Sequence, residues 1–225
     1  MGIEMLEKEI EKIKSRSIRR FTEEALLKAD SRFWLAPCSS TGKYHPPEDR
    51  GEGGLVRHIR KAVVVAGEFG RRAKFSQLEF DLAISAVILH DICKNGIPWG
   101  EYTDFTHGLI ASEWLKQFKL SNELVKQMIL DAVRYHMAPW CYAVNPFENR
   151  VYSAEEMRKN LDELSRALVC PSRIELAVRE GDYWASRQEM SFLPGKSIVY
   201  DPRVHDTPEE WVEEFAKEYG FKIKK

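Results

Sequence analysis

The sequence has no C-x-x-C pair; its four cysteines, Cys38, Cys93, Cys141 and Cys170, are dispersed. That spacing excludes a zinc ribbon, and in a chain of 225 residues it points to reduced thiols in a cytoplasm. Nor is there an excess of one charge. The 34 lysines and arginines are matched by 35 aspartates and glutamates, which leaves room only for a local basic patch as a nucleic-acid footprint. No apolar run approaches the ~20 residues needed to span a bilayer, and Met1 to Arg20 is too charged for a signal peptide. Strand patterns are missing too, apart from a short extended piece at Ser197 to Tyr200, as are repeats and low-complexity tracts. What remains is a soluble, cytoplasmic, all-α chain, long enough to bury one sizeable core.

Helical periodicity fills most of that chain. Ile3, Leu6, Ile10 and Ile13 fall at helical spacing among charges, giving an amphipathic helix that packs on the domain or on a second copy. A second helix follows Thr22 through Ala25, Leu26 and Leu27. Ala36 to Gly54 holds three prolines and four glycines and reads as a long ordered loop. Leu55, Ile59, Ala62, Val63 and Ala66 then make a stripe ended by Gly70. Ser76 to Ile92 is apolar on every side and should be buried. Thr106 reads as the N-cap of a helix with Ile110, Ala111, Trp114, Leu115 and Phe118 inward, and Ser121 as the start of one carrying Val125, Met128, Ile129, Ala132 and Val133. Ser153 with Glu156, Ser172 with Glu175, and Thr207 with Glu210 spell capping boxes, the last strengthened by Pro208.

The chemistry gathers at the end of the apolar helix, where His90 and Asp91 are adjacent. A buried charge there needs a partner, and a metal ion is one. His136 continues the stripe of Ile129 and Ala132, His107 begins the stripe of Ile110 and Ala111, and His58 stands one turn before Ala62. Asp182 follows Val178 by one turn. Each histidine alone reads as a core residue bonded to a backbone carbonyl, and Asp182 alone as a surface charge. Four imidazoles and two carboxylates bordering one interior are explained together by one metal centre. Nitrogen and oxygen ligands without a thiolate suit manganese, iron, cobalt, nickel or zinc.

The order His58, His90-Asp91, His107, His136 and Asp182 resembles the HD superfamily of metal-dependent phosphohydrolases. Gly53-Gly54-Leu55-Val56-Arg57-His58 is similar to the family's entry into its first ligand helix. Leu89-His90-Asp91-Ile92-Cys93-Lys94 is similar to its Leu-His-Asp-Ile-Gly-Lys string, with Cys93 where glycine is common. Thr106-His107-Gly108, Tyr135-His136 and Gly181-Asp182-x-x-Ala185-Ser186-Arg187 resemble its remaining elements. The resemblance implies an HD-like helical bundle over residues 53–190. Residues 1–52 would add N-terminal helices and a substrate-side loop to the same domain, and 191–225 a C-terminal loop and helix. It implies a first divalent metal held by His58, His90, Asp91 and Asp182, with Asp91 bridging to a second held by His107 and His136.

In such a site a metal lowers the pKa of bound water, so that hydroxide is available to attack a phosphate ester. Lys94, one turn after Asp91, is placed to put an ammonium on the phosphate or to protonate the leaving oxygen, or else is a solvated lysine past a helix end. Ser39, Ser40, Thr41, Lys43 and His45 are candidate substrate contacts from the long loop, and Arg187 a further phosphate contact. The string from Cys38 to Lys43 is neither a G-x-x-x-x-G-K-[ST] phosphate loop nor, with Tyr44 in place of arginine, a Cys-x5-Arg phosphatase loop. Trp140, Tyr142 and Trp184 are candidates to stack a base or to pack the core. The substrate expected is a small phosphate ester, a nucleotide or a cyclic nucleotide. The alternatives are an RNA or single-stranded DNA phosphodiesterase, served by a basic helix end at Arg57, Arg60, Lys61, Arg71, Arg72 and Lys74, a non-catalytic nucleotide sensor, and a di-iron oxygenase. No membrane partner is expected, and a homo-oligomer is possible through the terminal helices.

Overall fold

A computed structural model describes residues 2–39, 45–138, 144–145, 150–151, 153, 155–156, 159 and 171–187. The fold is all-α. Seven helices are bounded in full: α1 (Glu7–Ile10), α2 (Arg16–Leu27), α3 (Gly54–Arg72), α4 (Gln77–Leu89), α5 (His107–Leu115), α6 (Glu123–Arg134) and α7 (Arg173–Ala185). Three 3-10 turns, Ile3–Leu6, Ser31–Trp34 and Pro47–Asp49, punctuate the N-terminal third. The only strands among the described residues form a two-residue ribbon in which Val144–Asn145 pairs antiparallel with Arg150–Val151, too short for alternation to announce it.

Helix α4 is the axis. Every residue from Asp81 to Leu89 is buried, as its all-round apolar sequence requires, and α1, α2, α3, α6 and α7 all pack against it. Its start is fixed by a reciprocal capping box, in which Ser76 Oγ accepts from the Glu79 N–H and the Glu79 carboxylate accepts from the Ser76 N–H. Ser153 and Glu156 make the same exchange, and Ser172 Oγ accepts from the Glu175 N–H. Elsewhere the termini differ from the sequence reading. Helix α2 begins at Arg16, ahead of Thr22. Asn122 rather than Ser121 caps α6, through its side chain to the Val125 N–H. Thr106 occupies the cap position of α5, but both its N–H and its hydroxyl donate to Asp104. The expected pieces at Ser197 to Tyr200 and after Thr207 lie outside the described residues.

The N-terminal segment joins the core, with Leu6, Ile10 and Ile13 buried in the same cluster as α3 and α4. Asp81 locks it there. This buried carboxylate accepts from the backbone N–H groups of Lys14 (2.9 Å) and Ser15 (2.7 Å), at the start of α2, and from Gln77 (2.8 Å). Charge-assisted bonds of this kind contribute about 1.5–3 kcal/mol each, and a buried partner left behind costs more. Replacement of Asp81 by Ala is therefore expected to destabilise the chain by about 2–4 kcal/mol in denaturant unfolding, with Asp81→Asn in between. An unchanged midpoint for Asp81→Ala would refute this role.

Candidate metal centre

Six side chains converge where α4 ends. His58 comes from the first turns of α3, and His90 and Asp91 follow the last residue of α4. His107 is the first residue of α5, and Asp182 belongs to the last turn of α7. His136 stands two residues past α6, so it lies in the turn after the helix rather than on its stripe. Close helix approaches bring these together, and small residues next to the ligands permit them. A Cβ on Gly181 would stand 2.9 Å from the Ala62 carbonyl oxygen, and that contact seats α7 on α3 and Asp182 beside His58. A Cβ on Gly108 would stand 2.9 Å from the carbonyl oxygens of Val133 and Arg134, and that contact brings His107 to His136.

The two oxygens of Asp91 serve different neighbours. Oδ2 lies 3.3 Å from His90 Nε2 and 3.9 Å from His58 Nε2, and accepts from Lys94 Nζ at 2.5 Å. Oδ1 lies 2.8 Å from His107 Nε2 and 3.8 Å from His136 Nε2. Asp182 Oδ1 completes the first group, 3.1 Å from His58 Nε2 and 3.6 Å from His90 Nε2. All four imidazoles are buried.

The tautomers follow from the partners. His90 Nδ1 contacts the Val87 carbonyl at 2.6 Å, His107 Nδ1 that of Asp104 at 2.5 Å, and His136 Nδ1 that of Val133 at 2.7 Å. A carbonyl only accepts, so each Nδ1 carries the hydrogen, and in the neutral ring Nε2 presents its lone pair. Yet His107 Nε2 faces His136 Nε2 at 3.0 Å, and His58 Nε2 faces His90 Nε2 at 3.4 Å. Lone pairs and carboxylate oxygens converging at such distances repel unless a cation sits among them. Metal–nitrogen bonds of about 2.0–2.1 Å put neighbouring ligand atoms roughly 3–3.5 Å apart, so this donor set fits a divalent ion.

The charges agree. Burial opposes ionisation of Asp91, but His90 and Lys94 hold its pKa well below the usual carboxylate range. Asp182 is lowered in the same way, against burial, by His58 and His90. Burial works against a charge on His90 as well, yet Asp91 and Asp182 raise it to about 10. His136 goes the other way, lowered to about 3 by burial and by His107 and His90. Two anionic carboxylates are thus held in an interior that must be supplied with positive charge.

The other sequence candidates fall in different places. Lys94 is buried against Asp91, which removes the reading of a solvated lysine. His45 does not face outward as a loop donor. It is buried edge-on against the His58 ring, centroids 5.0 Å apart, with the Cys38 thiol 3.0 Å from its Nδ1. Burial, with His58 and Lys94 adding to it, lowers the His45 pKa to about 3, and burial drives that of Cys38 well up, so the pair is a neutral thiol and imidazole. No local pattern marks Cys38 and His45 as neighbours of the centre; they stand seven positions apart in the sequence. Arg187 lays its guanidinium over the Tyr183 ring at 3.8 Å. Trp184 is buried and donates to Glu180, which makes it a core residue rather than a stacking platform. Ser40, Thr41, Lys43, Trp140 and Tyr142 lie outside the described residues. The basic helix end is largely committed internally. Arg57 donates to the carbonyls of Glu48 and Glu52, Arg60 to that of Met5, Lys61 to Glu48 and Asp49, and Arg71 pairs with Glu68.

Among known families, the model described as HD domain matches residues 55–169, just over half of the chain. The match spans His58, His90, Asp91, His107 and His136 and ends before Asp182, whose place beside His58 comes from the packing of α7. Neither the curated proteins nor the solved structures gave a match. No helix among the described residues is long and apolar enough to cross a membrane.

If the small residues set the ligand spacing, Gly181→Ala should lower stability by about 1–3 kcal/mol, as overpacking does, and should release bound metal from the folded protein. Thermal unfolding paired with elemental analysis tests this. Full metal content in the variant would show that α7 has slack.

Proposed function

The chain belongs to the HD-domain family, and on that premise we propose that it is a phosphohydrolase that uses two divalent transition-metal ions to cleave a phosphate ester, of a nucleotide or a cyclic nucleotide. The observation that carries this reading is the division of Asp91, one oxygen toward His58 and His90 and the other toward His107 and His136. A carboxylate can bridge two ions in this way, whereas an imidazole with its Nδ1–H committed to a carbonyl offers one nitrogen. His58, His90, Asp182 and Asp91 Oδ2 would hold one ion; His107, His136 and Asp91 Oδ1 would hold the other. Manganese, iron, cobalt, nickel and zinc all suit this donor set. Bound there, the pair would lower the pKa of a water and neutralise the phosphoryl oxygens.

The chain's own groups do the positioning. The carbonyls of Val87, Asp104 and Val133 hold three imidazole rings from rotating, so their donor atoms need no reorganisation when a substrate arrives. Lys94 pins Asp91 Oδ2 and adds a fixed ammonium beside the place where phosphate charge must be met. Cys38 and His45, which flank loop positions 40–44, both contact or adjoin His58. That supports assigning Ser40 and Lys43, with Arg187 from just beyond the end of α7, to the substrate side. The internal commitment of Arg57, Arg60, Lys61 and Arg71 favours a small substrate over RNA or single-stranded DNA, because polyanion binding needs clustered unpaired cations.

A hydrolysis screen on the wild type and Asp91→Ala tests the proposal, with mononucleotides, cyclic nucleotides, dinucleotides and short RNA in the presence of each metal. We expect turnover of a nucleotide or cyclic nucleotide that falls by about a hundredfold to a thousandfold in Asp91→Ala, since a metal contributes several kcal/mol. No turnover by folded, metal-loaded protein would overturn it in favour of a sensor, and an iron-loaded protein that consumes oxygen would overturn it in favour of an oxygenase. In elemental analysis His107→Ala and His136→Ala are each expected to lose one ion per chain and keep the other. Full metal content in both variants would remove the second position.

A further inference from the structure

Three of the four ligand imidazoles have their Nδ1 occupied by a backbone carbonyl, and His58 is the exception. Its Nδ1 is buried and has no hydrogen-bond partner among the described residues. Its Nε2 is the nitrogen turned to Asp182 and His90, so Nδ1 is the one left for other neighbours. A ligand histidine normally gives that second nitrogen to an acceptor which orients it, and an orphaned buried nitrogen is costly. Beside the His58 ring stand two further donors that the centre does not use. The Cys38 sulfur and the His45 ring are both buried, 3.0 Å apart from Sγ to Nδ1 and 3.5 Å from Sγ to Nε2. Cys38 Sγ, one ring nitrogen of His45 and one of His58 all lie within 4.8 Å of one another.

We propose that Cys38, His45 and His58 form a third cation position, distinct in chemistry from the centre around Asp91, that takes a borderline-soft d-block ion of the zinc class through the Cys38 thiolate. A thiolate selects zinc, cobalt or cadmium over magnesium or manganese, whereas the histidine and carboxylate donors around Asp91 do not discriminate in this way. Ligands around a tetrahedral zinc, with Zn–S about 2.3 Å and Zn–N about 2.0–2.1 Å, stand roughly 3.4–3.6 Å apart, so shifts of a few tenths of an ångström to about an ångström assemble the site. The ion binds with loss of two protons to solvent, one from the Cys38 thiol and one from His58 Nδ1. His58 then bridges, its Nε2 toward the centre and its Nδ1 toward the new position. The third position therefore shares a ligand with the proposed phosphohydrolase centre, and a soft ion bound there draws electron density from the His58 imidazole.

Cobalt substitution tests this without any activity measurement. A thiolate ligand gives a sulfur-to-cobalt charge-transfer band in the near ultraviolet, and the centre around Asp91 has no sulfur with which to make one. The full-length wild type and Cys93→Ser, loaded with cobalt, should both show the band. Cys38→Ser should lose it together with one ion per chain, and His45→Ala should need at least tenfold more cobalt to develop it. Cobalt-saturated, folded wild type without the band would overturn the proposal by itself, whatever the variants do. So would a band that persists in Cys38→Ser. Failure of the phosphohydrolase reading is separable. Absence of turnover, or of the ions held by His107 and His136, leaves the sulfur band in place, while loss of the band leaves turnover with manganese in place.

Discussion

A carboxylate buried at the wrong end of a helix is the constraint on which the rest of this structure depends. Asp91 lies just beyond the C-terminus of α4, where the helix carries partial negative charge and disfavours an anion. It is buried, and water does not solvate it. Lys94, one turn on, supplies one compensating charge to Oδ2. The remaining demand falls on the side where four imidazole nitrogens and Asp182 crowd round. A folded chain tolerates that density of donors only with positive charge among them, as protons or as metal ions.

That demand explains features distributed along the whole sequence. Helix α4 is apolar on all sides because it must pass through the core to deliver its C-terminus there. The glycine after His107 and the glycine before Asp182 are packing devices, each removing a Cβ that would hold two ligand-bearing segments apart. Asp81, near the start of the same helix, gathers the N-terminal segment against the core, while Asp91, just past its end, gathers the histidines.

Most of this was legible in the sequence, for identifiable reasons. Helices with a long apolar stripe are read from period alone, and a histidine that falls on such a stripe is conspicuous against it. His58 and His107 were placed that way, and His90 with Asp91 by standing where an all-apolar run stops. Legibility failed at two scales. Helix starts depend on one side chain reaching one N–H, so Asn122 and Ser121 cannot be told apart, and Thr106 spends its hydroxyl on Asp104 instead. Contacts made across a loop leave no periodic trace. Cys38 and His45 read as separate loop residues, and only the chain's path back to α3 sets the thiol and the ring against His58.

The helix ends also account for where the imidazole hydrogens go. His90 and His136 each follow a helix C-terminus and donate Nδ1–H to a carbonyl of its last turn, Val87 or Val133, which would otherwise be unsatisfied there. The bond thus caps a helix and fixes the tautomer of the neutral ring at once, leaving Nε2 turned to the centre. Asp182 lies in the last turn of α7, so three helices present their negative ends to one small volume. Backbone dipoles, carboxylates and oriented lone pairs all favour a cation at that place. Asp91 meets this volume with its two oxygens on different neighbours, Oδ2 on Lys94 and Oδ1 on His107. Of the four rings, His58 alone finds no acceptor for its Nδ1 among the described residues.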